Sequence, residues 1–208
     1  METVEWQTLQ NEVVELNKQK RGDSEVEVAK KALQIAEQSV GLVHPDVATH
    51  LDKIAWLYFA QGQYEHAVPH CKLSLEIIEK SLGPDHPDVA VYLNNLGWLY
   101  FVQGQYVHAE PLYKRSLAIL EKSLGPDHPD VVRKLDSLLG LYINLQKNEE
   151  AVPLCKRLLE ITEKALGPDH PDVAKRLDDV ATLYRSTGRN DEAKGLEKKA
   201  ARIHAIKR

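Results

Sequence analysis

Nine histidines and two cysteines are the residues of this chain best suited to chemistry, and their spacing decides what they can do. His66 and His70 stand four apart, which on a helix puts two imidazoles on one face as a two-ligand metal clip. His108 follows His66 by 42 residues, but no third ligand is fitted to that pair. Cys71 and Cys155 hold equivalent places two periods apart, too far for a disulfide, and are expected to be buried thiols. No Gly-rich phosphate loop follows a strand, and there is no G-x-S-x-G elbow. The carboxylates are many but scattered along helix faces, where Lys and Arg neighbours are routine ion-pair partners. The expectation is no enzyme, no metal and no cofactor.

Four of the histidines open the sequence HPDV, at His44, His86, His128 and His170, always 42 residues apart. They are expected to flank a helix start and bond its backbone. Pro fits the first helical turn because its missing N–H would be unpaired there, and Asp meets the positive end of the helix dipole. A fixed period of this size marks a stacked repeat. After His86, Val89, Leu93, Leu96, Leu99 and Tyr100 recur three and four apart, a helical pattern that Gly104 ends. A second helix runs to Leu124, where Gly125 and Pro126 stop it. Laid along the chain, this plan predicts first helices at about 45–61, 87–103, 129–145 and 171–187. Second helices fall at about 64–82, 106–124, 148–166 and 190–206. Ala67, Ala109, Ala151 and Ala193 mark a tight crossing of the two helices, where a larger side chain would push them apart.

The repeats are 44–85, 86–127, 128–169 and 170–208. Residues 1–43 fit the same grid with defects: Glu12 replaces an apolar residue, Lys20 replaces the glycine and Glu25 replaces the small alanine. They are expected to form an atypical capping repeat. The expectation is thus an all-α chain, 1–208, forming a single array of five helix pairs and ten helices, with no sheet.

The pattern LGW.YF.QGQY..A, carried by Leu96, Gly97, Tyr100, Gly104, Tyr106 and Ala109, resembles a tetratricopeptide repeat. The 42-residue period and the LGPDHPDVA linker are similar to the kinesin light chain type of that repeat. The resemblance covers about 44–205 well and 6–43 loosely. It implies an α-solenoid, a right-handed superhelix whose first helices line a concave groove, and a non-enzymatic scaffold that binds a peptide or a partner's helix. The long heptad segment of a motor light chain is not present, so a motor subunit is not implied.

By the family pattern, the inward positions include Asp52, Trp56 and Phe59, then Asn94, Trp98 and Phe101, then Arg133 and Asp136, then Lys175 and Arg185. The four aromatics would form a wall across two repeats, with a basic end beyond it. The implied ligand has an apolar anchor and acidic residues, since aromatics and arginine dominate binding energy at interfaces. Asn94 can donate and accept, and could hold a peptide backbone. Plainer readings stand beside these. The tryptophans would be core if the inward register slipped by one, and the basic residues would be a solvated face. The row Asp52, Asn94, Asp136 and Asp178 would serve neighbouring helices as readily as a ligand.

The net charge of −4 argues against a nucleic-acid binder, which needs a basic face. No apolar run approaches the roughly 20 residues of a membrane span, and the acidic start METVEWQTLQ is no signal peptide. A cytoplasmic setting is expected. A second reading is a self-assembling, consensus-like or engineered repeat protein forming a homo-oligomer. It draws on the three identical GPDHPDV linkers and on Val91, Tyr92 and Val107 as contact residues. A third is a regulatory domain of a larger enzyme.

Overall fold

The computed structural model describes residues 22–206. Its helices are α1 (Gly22–Val40), α2 (Pro45–Ala60), α3 (Tyr64–Leu82), α4 (Val89–Val102), α5 (Tyr106–Leu124), α6 (Pro129–Asn144), α7 (Asn148–Leu166), α8 (Pro171–Ser186) and α9 (Asn190–Ile206). No strand occurs among the described residues. The fold is all-α, built of helix–turn–helix pairs. The expected helix of 1–21, with Glu12 and Lys20, lies outside the described residues, as does the side chain of Glu25.

The HPDV segments begin helices through the histidine ring. At His44, His128 and His170, Nδ1 accepts the backbone N–H of the aspartate two residues on, each at 3.2 Å. This bond satisfies one of the unpaired amides of a helix start. An accepting Nδ1 places the ring proton on Nε2. His86 makes the same bond to Asp88, also at 3.2 Å. Here the structure departs from the expected start at 87, because α4 begins at Val89. The amides of Val89, Ala90 and Val91 reach back only three residues, at 3.0, 3.1 and 3.0 Å, so this first turn is a tight 3₁₀ turn.

Within each pair the turn is closed by a six-residue bond. The amides of Gln63, Gln105, Lys147 and Arg189 bond the carbonyls of Tyr58, Tyr100, Tyr142 and Tyr184 at 2.9, 2.9, 2.9 and 2.7 Å. This closure requires a left-handed residue just before the bonded amide. Glycine supplies it at Gly62, Gly104 and Gly188, while Gln146 adopts φ 56° in the same place.

The chain divides into two compact units, Met1–Ile119 and Leu120–Arg208. In the first, Val26 and Ala29 of α1 pack on Ile54 and Leu57 of α2. Ser116 of α5 donates to the Ala90 carbonyl of α4 at 2.7 Å. In the second, Val173, Ala174 and Leu177 of α8 pack on Ala200 and Ile203 of α9. Ala67, Ala109, Ala151 and Ala193 are fully buried, as a tight crossing requires.

A recurrent clamp joins α5, α7 and α9 each to the second helix before it, while α3 carries Leu73 at the equivalent place. Arg115 pairs with Glu79 and donates to the Pro84 carbonyl at 2.8 Å. Arg157 pairs with Glu121 and donates to the Pro126 carbonyl at 2.9 Å. Lys199 takes the same place, with Nζ 2.6 Å from Glu163.

Candidate functional site

In the N-terminal unit, the first helices α2 and α4 bring the expected aromatics together. Trp56 and Trp98 lie 5.1 Å apart between ring centroids, and Phe59 lies 4.4 Å from Trp98 and 5.6 Å from Trp56. Tyr64, at the start of α3, extends the cluster at 5.4 Å from Phe59. Phe101 packs instead on Tyr106, also at 5.4 Å. These rings are a surface and not a core, because Trp56 keeps 38% of its area accessible and Phe59, Trp98 and Phe101 are half-buried. Tilted and edge-on rings at such distances add about 0.5–1.5 kcal/mol per pair beyond area burial, which fixes the wall in place.

Three of the four residues of the polar row bond groups on other helices. Asp52 accepts from Asn95 Nδ2 at 2.9 Å and from the Cys71 thiol at 3.6 Å. Burial pushes its carboxyl up from the ordinary carboxylate range, against hydrogen bonds from Cys71, Asn95 and Trp56. Asp136 accepts both Arg176 guanidinium nitrogens, at 2.7 and 2.9 Å. Asp178 lies 3.4 Å from His204 Nε2. These three aspartates therefore tie helices together. Asn94 differs: its Oδ1 is buried without a hydrogen-bond partner. A buried acceptor left unmade costs about 1–3 kcal/mol. Asn95 and Arg176 were not among the expected residues. Arg176 stands 40 residues after Asp136, two short of a full period, and that spacing is the signal for a pair across repeats.

The basic residues of the C-terminal unit are largely engaged. Arg133 pairs with Asp130 one turn away. Arg185 makes two bonds to Glu197, both 2.7 Å. Lys175 is exposed. On this face Gly140 and Thr182 stand where repeats two and three carry Trp56 and Trp98. An open cavity of about 370 Å³ lies beside them, between α6 and α8.

The remaining chemistry is structural. His66 stacks on Tyr58 at 5.2 Å, His70 meets the same ring tilted at 5.4 Å, and His108 stacks on Tyr100 at 5.2 Å. Among the described residues no group of three or more His, Cys, Asp or Glu is placed to hold a metal ion. Cys71 and Cys155 are free, buried thiols. Burial pushes the Cys71 thiol well above its ordinary value and the Cys155 thiol up to about 12. Among the described residues no helix is long and apolar enough to cross a membrane.

A sequence profile of the tetratricopeptide repeat matches residues 57–122 and 133–205. No curated protein sequence matches the chain. Among solved structures, the chain is similar to a kinesin light chain protein of nearly identical TPR-like repeats from Podosopora anserina. That likeness has a TM-score of 0.78 and 24% identity, over 97% of this chain and 96% of that one. BtubC (BKLC) from P. vanneervenii matches with a TM-score of 0.73 and 22% identity, over 91% of this chain and 76% of that one. MamA matches with a TM-score of 0.65 and 16% identity, over 97% and 93% of the two chains. At these identities the likeness is one of fold.

Proposed function

Because the chain belongs to the tetratricopeptide repeat family, we propose that it is a non-catalytic interaction module that holds a peptide or a partner's helix on its first helices. Such repeats generally serve as protein–protein interaction scaffolds. The observation that carries the reading is the accessible ring cluster of Trp56, Phe59 and Trp98, with the unpartnered Asn94 Oδ1 one turn before Trp98 on α4. The rings offer an apolar anchor site, and Asn94 offers an acceptor for a backbone N–H. Of the basic residues expected to attract an acidic ligand, Arg133 and Arg185 already pair with carboxylates, and Lys175 is exposed. Buried free thiols suit a reducing, cytoplasmic setting.

Selection from a random peptide library against the whole chain, followed by tryptophan fluorescence titration, tests this reading. Trp98→Ala is expected to weaken a selected peptide by about 30-fold, the equivalent of about 2 kcal/mol. A library that yields no binder, or binders indifferent to both Trp56→Ala and Trp98→Ala, overturns it. Self-assembly draws on Val91 and Val107, which keep 55% and 77% of their areas exposed. Light scattering that shows a monomer at high concentration removes that second reading.

A further inference from the structure

Gly140 has neither a conformational nor a packing reason to be glycine. It lies inside α6, where glycine weakens a helix relative to alanine. Its φ is not left-handed, and a Cβ built on it meets nothing within 4 Å. Gly97 shows the contrast: there a Cβ would come within 2.9 Å of the Tyr113 ring, so close packing dictates the glycine. One period and two periods before Gly140 stand Trp98 and Trp56. The missing side chain leaves the cavity of about 370 Å³ between α6 and α8, walled by Leu139, Ile143 and Leu183 and lined by Asp136 and Asp179.

Repeat two shows what fills this space when a side chain is present. The Trp56 ring lies against Trp98 of the following first helix, one turn along α2 from Asp52, the counterpart of Asp136. The charge at the cavity is also defined. Arg176 binds Asp136 twice and reaches Asp179 at 3.9 Å. Two carboxylates, Asp136 and Asp179, thus line the cavity against one cation, an excess of one negative charge. Burial raises the Asp179 carboxyl, as expected of an acceptor short of donors.

We infer that the cavity is a socket for a tryptophan side chain presented by a protein partner on a segment flanked by basic residues. The indole replaces the ring absent at Gly140, its N–H faces the carboxylates, and the flanking cations meet the excess negative charge. This deepens the protein-binding reading, but it places a second anchor point in the other compact unit, apart from Trp56 and Trp98.

The test titrates the ¹⁵N-labelled full chain with two capped tripeptides, acetyl-Lys-Trp-Lys-amide and acetyl-Glu-Trp-Glu-amide, followed by NMR. The basic peptide is expected to shift the amides of Gly140, Ile143 and Thr182 and to bind several-fold more tightly than the acidic one. Gly140→Trp should abolish these shifts. Thr182→Trp, which fills the cavity from the opposite wall at an exposed position, should do the same and guards against a folding defect in the first variant. Trp98→Ala should leave them intact, so failure of the aromatic face in the N-terminal unit and failure of the socket give different results. Absence of shifts at Gly140, their survival in both filled variants, or tighter binding of the acidic peptide overturns the inference.

Discussion

His50 and Asp52 sit two residues apart on α2 and respond to acid in opposite senses. Burial lowers the His50 pKa, so the folded chain resists a proton that the unfolded chain accepts. Stability from this group is present above the ordinary histidine value of about 6.5 and is lost as pH falls toward the folded value. Denaturant titrations across that window should show a loss that His50→Gln does not share. Burial raises Asp52, so its contribution is present in acid and is lost as pH rises through the folded value. Asp52→Asn keeps an acceptor for Asn95 and removes the charge. It should raise the midpoint of unfolding at pH 7, and the gain should vanish below the carboxylate range. The thiols give a third test. With Cys155 held at about 12 and the Cys71 thiol also raised by burial, both should stay inert to a thiol reagent at pH 8 until denaturant is added. At this scale the sequence was half legible. The aromatic register could be counted, and Trp56, Phe59 and Trp98 meet, whereas Phe101 turns to Tyr106. The partners of Arg133 and Arg185 could not, because long side chains choose among nearby carboxylates by geometry that no spacing reveals.

Helix boundaries follow from local chemistry, and there the sequence was most legible. Proline, glycine and the HPDV ruler placed the ends of α2, α3, α5, α6, α7 and α8 to within one residue of the structure. The delayed start of α4 was not legible, because α4 carries the same HPDV signal as its neighbours. The left-handed turn residue at Gln146 was likewise hidden, since the repeat plan calls for glycine there and the sequence does not say whether another residue bends to fit. A side chain held at φ 56° stores strain, and Gln146→Gly should stabilise the protein by about 1 kcal/mol in chemical denaturation. The histidine caps make the converse case. His128→Ala removes the acceptor for the Asp130 amide and should cost about 1 kcal/mol.

For the whole chain, the period alone announced a stack of helix pairs, and within each compact unit the principal packing is between consecutive helices. Damage in such an array stays local. Gly97→Ala drives a methyl into Tyr113, so hydrogen exchange should quicken in α4 and α5 while α8 and α9 keep their protection. The cavity beside Gly140 was not legible, because it arises from a side chain that is missing, and a pattern of residues present does not describe a void. The clamp of Arg115 and Arg157 has a consequence for descent. From the repeat at 86–127 onward, each repeat carries a cation for the repeat before it, and Glu79, Glu121 and Glu163 supply its partners. A gene duplication that copies 42 residues within 86–208 regenerates the clamp at the new seam, whereas one of another length strands an arginine and a glutamate. The array is therefore free to lengthen or shorten by whole repeats over evolutionary time, and closed to increments in between.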